Sequence, residues 1–212
     1  PWKPAKVVTK TLFPLFLCVV LALNAERGFQ WAVLAGMAGS LVGDLALELS
    51  AHPVCFAVGM LAFALTHVAN AAACFAVAEK WATTLSVVLA LGLIAGAVLH
   101  IRSLHIEQPL RTAVYCYATI ILVGLYASTL LFTAPVPFPT QLLMVVGYAH
   151  FVVSDGLLIM QIAGKATASR AVAVMITYDF AQIFITFAAV LLTSTASFFA
   201  PDGSDAMVHG EL

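Results

Sequence analysis

Phe29-Gln-Trp-Ala-Val-Leu-Ala-Gly-Met-Ala-Gly-Ser-Leu-Val-Gly-Asp-Leu-Ala-Leu-Glu48 carries one charge, Asp44, before its terminal glutamate. As a helix rising 1.5 Å per residue it spans roughly 30 Å, about the thickness of a bilayer's hydrocarbon core. The segment therefore reads as a transmembrane helix with an acid inside it. Similar apolar runs lie on either side, interrupted by Pro, charged residues and short polar clusters. They predict seven spans, near residues 11–24, 29–48, 54–78, 82–100, 110–132, 139–162 and 171–194. The expected fold is all-α, an integral membrane helical bundle forming one domain over residues 1–212. Its ordered core is expected over about 10–195, with a flexible tail from 197 to 212 that includes Pro201, Asp202, Gly203 and Asp205.

Composition agrees with this reading. Of 212 residues, 63% are hydrophobic and 9% charged, where a soluble domain carries roughly a quarter charged residues. A formal net charge of −1 with scattered basic residues offers no patch to track phosphates, so no nucleic-acid partner is expected. Cys18, Cys55, Cys74 and Cys116 fall in four separate apolar runs without metal-type spacing and read as small lipid-facing or core residues. The first apolar run lacks the short core and cleavage site of a signal peptide and reads as a true span. Because the sequence begins at Pro1, a preceding segment is expected. Seven basic residues (Lys3, Lys6, Lys10, Arg102, Arg111, Lys165 and Arg170) sort to the amino-terminal side, against Arg27 and Lys80 on the other. By the positive-inside rule the amino terminus is cytoplasmic. No internal repeat suggests an inverted-repeat transporter.

The polar residues inside the spans are the candidates for function. A charged side chain at a helix centre costs about 2.5–3.5 kcal/mol on insertion scales and so tends to face the bundle interior. Asp44, Asp155 and Asp179, with Tyr178, are placed in one layer toward the cytoplasmic ends of spans two, six and seven. Gly36, Ser40 and Asp44 share one helical stripe at four-residue spacing, flanked by Gly39 and Gly43 for close packing. Tyr178 and Gln182 are four apart and Tyr148 and Asp155 seven apart, so each pair can point into one cavity. His67 and Asn70 form a polar face three residues apart, roughly 20 Å from their helix end and so expected deeper than the acids. His150, about 140° around the helix from Asp155, does not converge with it. The plain reading of each polar group is an interhelical hydrogen bond. For Asp44 and Asp155 function is favoured, because several costly groups share a layer; for Asp179 the two readings balance.

Five blocks, in order, resemble the motifs of the YhhN-type lysoplasmalogenase family: Lys10-Thr-Leu-Phe-Pro14, Gly39-Ser-Leu-Val-Gly-Asp44, Phe63-Ala-Leu-Thr-His67, Gly147-Tyr-Ala-His-Phe-Val-Val-Ser-Asp155 and Thr177-Tyr-Asp-Phe-Ala-Gln182. They cover most of the length from Lys10 to about Leu192. The chain departs from the family pattern at Asn70 and Asp179, where aromatic residues are usual. The resemblance implies about eight spans, so that one is expected before Pro1. It also implies hydrolysis of the vinyl ether bond of a lysoplasmalogen to a fatty aldehyde and glycerophosphoethanolamine or glycerophosphocholine.

That chemistry needs a proton delivered to the alkene carbon and water added to the carbon bearing oxygen, with an oxocarbenium-like species between. Two carboxyl groups in a low-dielectric pocket can divide the work, as in glycoside hydrolysis by analogy. Asp155 is assigned as general acid and Asp44 as general base, an assignment the sequence allows to be reversed. His67, Tyr178, Gln182, Ser40 and Asn70 are expected to position substrate or water. Lys10, Arg111, Lys165 or Arg170 would attract the phosphate. No metal or prosthetic group is required; the partners are the lysophospholipid and membrane lipid, and a homo-oligomer is compatible with the sequence. The expected membrane is the endoplasmic reticulum in a eukaryote and the inner membrane in a bacterium.

Two other classes compete. A zinc-dependent hydrolase of the alkaline-ceramidase type would use His67, His150 and an Asp, yet the helices offer no paired His motif. A proton-coupled transporter would also use buried acids, but lacks broken helix pairs here. A retinal photoreceptor would need a lysine in span seven, and there is none.

Overall fold

A computed structural model of the chain describes residues 3–49 and 52–196, and all the long elements in it are helices: α1 Lys3–Asn24, α2 Gly28–Leu49, α3 Pro53–Val77, α4 Thr84–Ser103, α5 Leu110–Leu130, α6 Phe138–Ile162 and α7 Ala168–Ala196. A single 3-10 turn, Leu131–Thr133, prolongs α5. A helix stands at each of the seven expected spans, with ends within about four residues of those expected except that the first begins at Lys3 rather than 11; the tail 197–212 lies outside the described residues. Six helices, α2 to α7, are long and apolar enough to cross a membrane; α1 contributes a shorter apolar stretch, Lys10–Asn24. Helices suit this solvent because lipid offers no partner for backbone N–H and C=O groups, which must be satisfied within the segment.

Local chemistry sets the helix ends. Pro53 opens α3, where its missing N–H costs nothing, and the His52 side chain accepts from the Val54 N–H at 3.2 Å. The fourth span begins at Thr84 rather than at 82 because Thr83 and Ser86 form a reciprocal capping box. Gly164, with φ +78°, terminates α6 in the left-handed conformation glycine tolerates. Thr167 then accepts from the Arg170 N–H at 3.2 Å as α7 begins.

Six of the helices close a ring in the order α1, α2, α3, α5, α6, α7, with α2 also touching α7 across it. The fourth helix stands outside and packs mainly on α5; it buries fewer of its residues than any other span. The two closest pairs are the hairpins α2–α3 and α6–α7, and glycine permits both. A Cβ at Gly39 would lie 3.1 Å from the Ala62 carbonyl, and one at Gly147 3.1 Å from the Ala181 carbonyl. Polar side chains then bridge helices that small residues have brought together. Thr66 Oγ1 donates to the Gly36 carbonyl at 2.8 Å, Ser154 Oγ to Val174 at 3.2 Å, and Gln30 Nε2 to Ala189 at 3.3 Å.

The main apolar core, including Leu21, Val33, Met144, Tyr148 and Ile185, fills the ring from the middle toward the face opposite the chain start. Outside, Leu15, Phe16, Leu61, Leu65, Leu91 and Phe187 are exposed. Such a belt suits a surface solvated by lipid tails and would promote association in water. This is the architecture of a multi-pass membrane protein.

Candidate active site

Toward the face where the chain begins, the ring encloses a cavity of about 140 Å³ to which all six of its helices contribute: Lys10 from α1, Asp44 from α2, Phe63 and His67 from α3, Tyr117 from α5, Asp155 from α6, and Tyr178 and Asp179 from α7. Apolar side chains, among them Leu47, Phe56, Met60, Phe151, Leu158 and Met175, complete its wall. The polar groups are few and gathered, as in small-molecule sites.

Each central acid is held by a tyrosine. Tyr178 Oη donates to Asp44 Oδ2 at 2.8 Å, and Tyr117 Oη donates to Asp155 Oδ2 at 2.7 Å. Ser40, one turn before Asp44 on α2, donates to Thr66 Oγ1 at 3.4 Å. His67 is 1% exposed; its Nε2 is 3.3 Å from the Tyr117 hydroxyl and 3.8 Å from Asp155 Oδ2. Its ring is fixed edge-on against Phe151, with centroids 5.1 Å apart. Its backbone carbonyl accepts from Tyr148 Oη at 3.4 Å. The result is two carboxyl–phenol pairs in one chamber, one of them extended by an imidazole. At the cavity edge the Lys10 ammonium pairs with the Glu48 carboxylate.

The acids expected to share a layer do share one cavity, and Asp179 lines it too. His67 joins them despite its greater distance along its own helix. Residue count measures depth only when helices begin at one level, and α3 begins well before the register at which α2 places Asp44: Gly43 packs against Phe63, and Gly59 against Leu47.

Three residues expected to position substrate stand back from the wall. Gln182 and Asn70 lie one turn deeper on α7 and α3, fully or almost fully buried, because a spacing of three or four preserves the helix face but advances about 5 Å along the axis. Asn70 Oδ1 faces Gly36. Ser40 is buried one turn before Asp44 and is not a lining residue. The expected convergence of Tyr148 with Asp155 is corrected in the same way, since Tyr148 supports His67 and is not a lining residue. His150 is turned away, its Nδ1 2.8 Å from the Val146 carbonyl and its ring against Phe180 and Phe184.

Tyr117 is the site residue that sequence reasoning missed. Its signal was present: it stands seven residues inside α5, as Asp155 stands seven residues inside α6 from the same face. A phenol is inexpensive in a membrane helix, however, and does not announce itself as a carboxylate does. Among the described residues, no three His, Cys, Asp or Glu side chains are gathered as a metal would require.

No curated protein and no solved structure matches the chain. The family model of the YhhN family matches residues 5–189, a stretch that takes in all or most of every helix lining the cavity and all of its polar residues, and the chain therefore belongs to the YhhN family.

Proposed function

We propose that this protein hydrolyses the vinyl ether bond of lysoplasmalogens, releasing a fatty aldehyde and a glycerophospho-alcohol. The observation that carries the reading is the pair of carboxyl groups, Asp44 and Asp155, each anchored by a tyrosine in one largely apolar chamber within a lipid-facing bundle. Membership of the YhhN family supports it further.

In this mechanism Asp155 protonates the alkene carbon remote from the ether oxygen, and positive charge develops on the carbon–oxygen unit. Asp44 accepts a proton from water as the water oxygen bonds to the carbon bearing the ether. The resulting hemiacetal loses its hydroxyl proton as the carbon–oxygen bond to glycerol breaks, and the departing oxygen takes up a proton. The sum is one water consumed, one aldehyde and one alcohol formed. Each tyrosine occupies one carboxyl oxygen and leaves the other for water or substrate. His67, in reach of both Tyr117 and Asp155, is placed to return the proton to Asp155. Phe63 and Phe151 line the chamber and present π-electron density to the transient cation.

Orientation follows from the basic residues: the chamber opens toward the cytoplasmic face, and Lys10 at its edge meets the phosphate in place of Glu48. The deciding experiment incubates purified protein with a lysoplasmalogen and with its ester analogue and identifies products by mass spectrometry. Aldehyde release from the first, abolished in folded Asp44→Asn and Asp155→Asn proteins, supports the proposal; wild-type rates in both variants reject the mechanism.

A further inference from the structure

A second cleft lies between α4, α5 and α6, outside the ring, with a volume of about 420 Å³. It meets the acid chamber at Tyr117, Asp155 and Ile159, which line both. From there it runs between α4 and α5 into a third hollow of about 310 Å³, sharing Leu93 and Leu122 with it and ending at Tyr126. Beyond Tyr117, Asp155 and His100, the last near the α4 end on the side where the chain begins, the lining is mostly apolar, with Gly92, Leu93, Ile121, Leu122, Val123 and Ile94 along its length. In the third hollow the two polar side chains turn inward on the protein: Thr119 Oγ1 donates to the Tyr115 carbonyl at 2.9 Å, and the Tyr126 hydroxyl donates to the Trp81 carbonyl.

We propose that this cleft seats the hydrocarbon chain of the substrate, which leaves the acid chamber past Tyr117 and Asp155 and runs between α4 and α5 toward Tyr126. The inference rests on the lysolipid reading of the acid chamber and adds where the chain lies. Length supports it: the nine residues from Tyr117 to Tyr126 rise about 14 Å, close to one leaflet of a core about 30 Å thick. Direction supports it too. One end of the cleft, at His100, Ile101 and Met160, lies toward the face where the chain begins, and its continuation past Leu93 and Leu122 leads from the acids toward the membrane interior, away from Lys10, Phe56 and Met60. A single-chain lipid with its head near Lys10 and its tail in the cleft places the bond between them at Asp44 and Asp155. The cleft also has room. A Cβ at Gly92, Gly96 or Gly156 meets nothing within 4 Å, and α4, packed mainly on α5, can yield to a guest.

Two measurements test this on the full chain in lipid nanodiscs. The first uses a non-cleavable saturated ether lysophospholipid carrying a diazirine at the chain terminus. Photolabelling at the partly buried Leu93, Leu122 or Tyr126 is expected, and a diacyl lipid with the same probe should compete poorly for those positions. Labelling at Phe56 and Met60, labelling spread over lipid-facing side chains such as Leu15 and Phe16, or equal labelling by the diacyl probe overturns the proposal. The second compares Gly92→Leu with the wild type on short- and long-chain alkenyl substrates. Leucine is the better helix former and its Cβ meets open space, so the melting temperature of the variant in detergent should match that of the wild type, which is checked first. Cleavage of the long chain should fall about tenfold or more with the short chain unaffected, since added methylenes discriminate on this scale. Equal effects on both chain lengths, or none, reject it. If the wild type cleaves neither, the hydrolase reading fails while the photolabelling still decides the cleft.

Discussion

Tyr117 and Tyr178 each hold one oxygen of a carboxyl group through a hydrogen bond of 2.7–2.8 Å. Removing either hydroxyl leaves the acid in place but frees it to rotate and deprives its charged form of a donor. Hydrogen bonds to charged groups are worth about 1.5–3 kcal/mol. Tyr117→Phe and Tyr178→Phe should therefore lower kcat for vinyl ether cleavage by roughly tenfold or more, by the usual relation of barrier to rate, while KM changes little. Steady-state assays of aldehyde release on protein of unchanged thermal stability check this; wild-type kcat in both would show that the phenols only fill space. At the edge of the chamber, Lys10→Gln should raise KM for a lysophospholipid severalfold and leave a phosphate-free alkenyl glycerol unaffected, because the ammonium acts on the phosphate by charge. A parallel rise for both substrates would instead place Lys10 in the structural pair with Glu48 alone.

At the level of the helices, glycines divide into those that make contacts and those that border open space. A Cβ at Gly124 of α5 would sit 2.2 Å from Tyr148 Cε1 of α6, and Tyr148 in turn supports the His67 carbonyl. Gly124→Ala must displace a fully buried ring, and overpacking of this kind costs typically 1–3 kcal/mol. Its melting temperature in detergent should drop clearly, and aldehyde release should drop with it as His67 loses its support. Gly92→Ala on α4 meets nothing within 4 Å and gains helix propensity of up to about 1 kcal/mol, so its melting temperature should hold or rise. Similar losses in the two variants would contradict the loose packing of α4 against a tight ring.

For the molecule as a whole, the ring of six helices accounts for the shape of the site. Each wall of the chamber comes from a different helix, so no hairpin alone contains both carboxyl–phenol pairs: α2 and α7 supply one, α5 and α6 the other. The chemistry should therefore be lost whenever the ring opens, including under detergents that leave individual helices intact. The positive-inside rule, applied to the uneven basic residues, predicts that the chamber lies in the cytoplasmic half of the membrane. A reporter fused after Leu212 should then be found on the non-cytoplasmic side, and a cytoplasmic reporter would reverse the orientation and with it the leaflet from which substrate is drawn.

Hydropathy alone determined the helical membrane fold, because a long apolar run has only one economical backbone in lipid. It also exposed Asp44 and Asp155, because an acid in such a run is expensive wherever it points. The Ser40 and Gly36 stripe was legible as a packing surface from its spacing. Which neighbour each acid meets was not, since partners on other helices depend on where each helix begins and how closely its neighbours approach. That is why Tyr117 went unnoticed, why His67 proved level with Asp155 despite its place along α3, and why Gln182 and Asn70, on the correct faces, stand a turn behind the wall. The exclusion of α4 from the ring, and the cleft that this leaves beside Asp155, were likewise decided only in three dimensions: α4 is as apolar as the other spans, and hydropathy does not distinguish a face that touches protein from one that touches lipid.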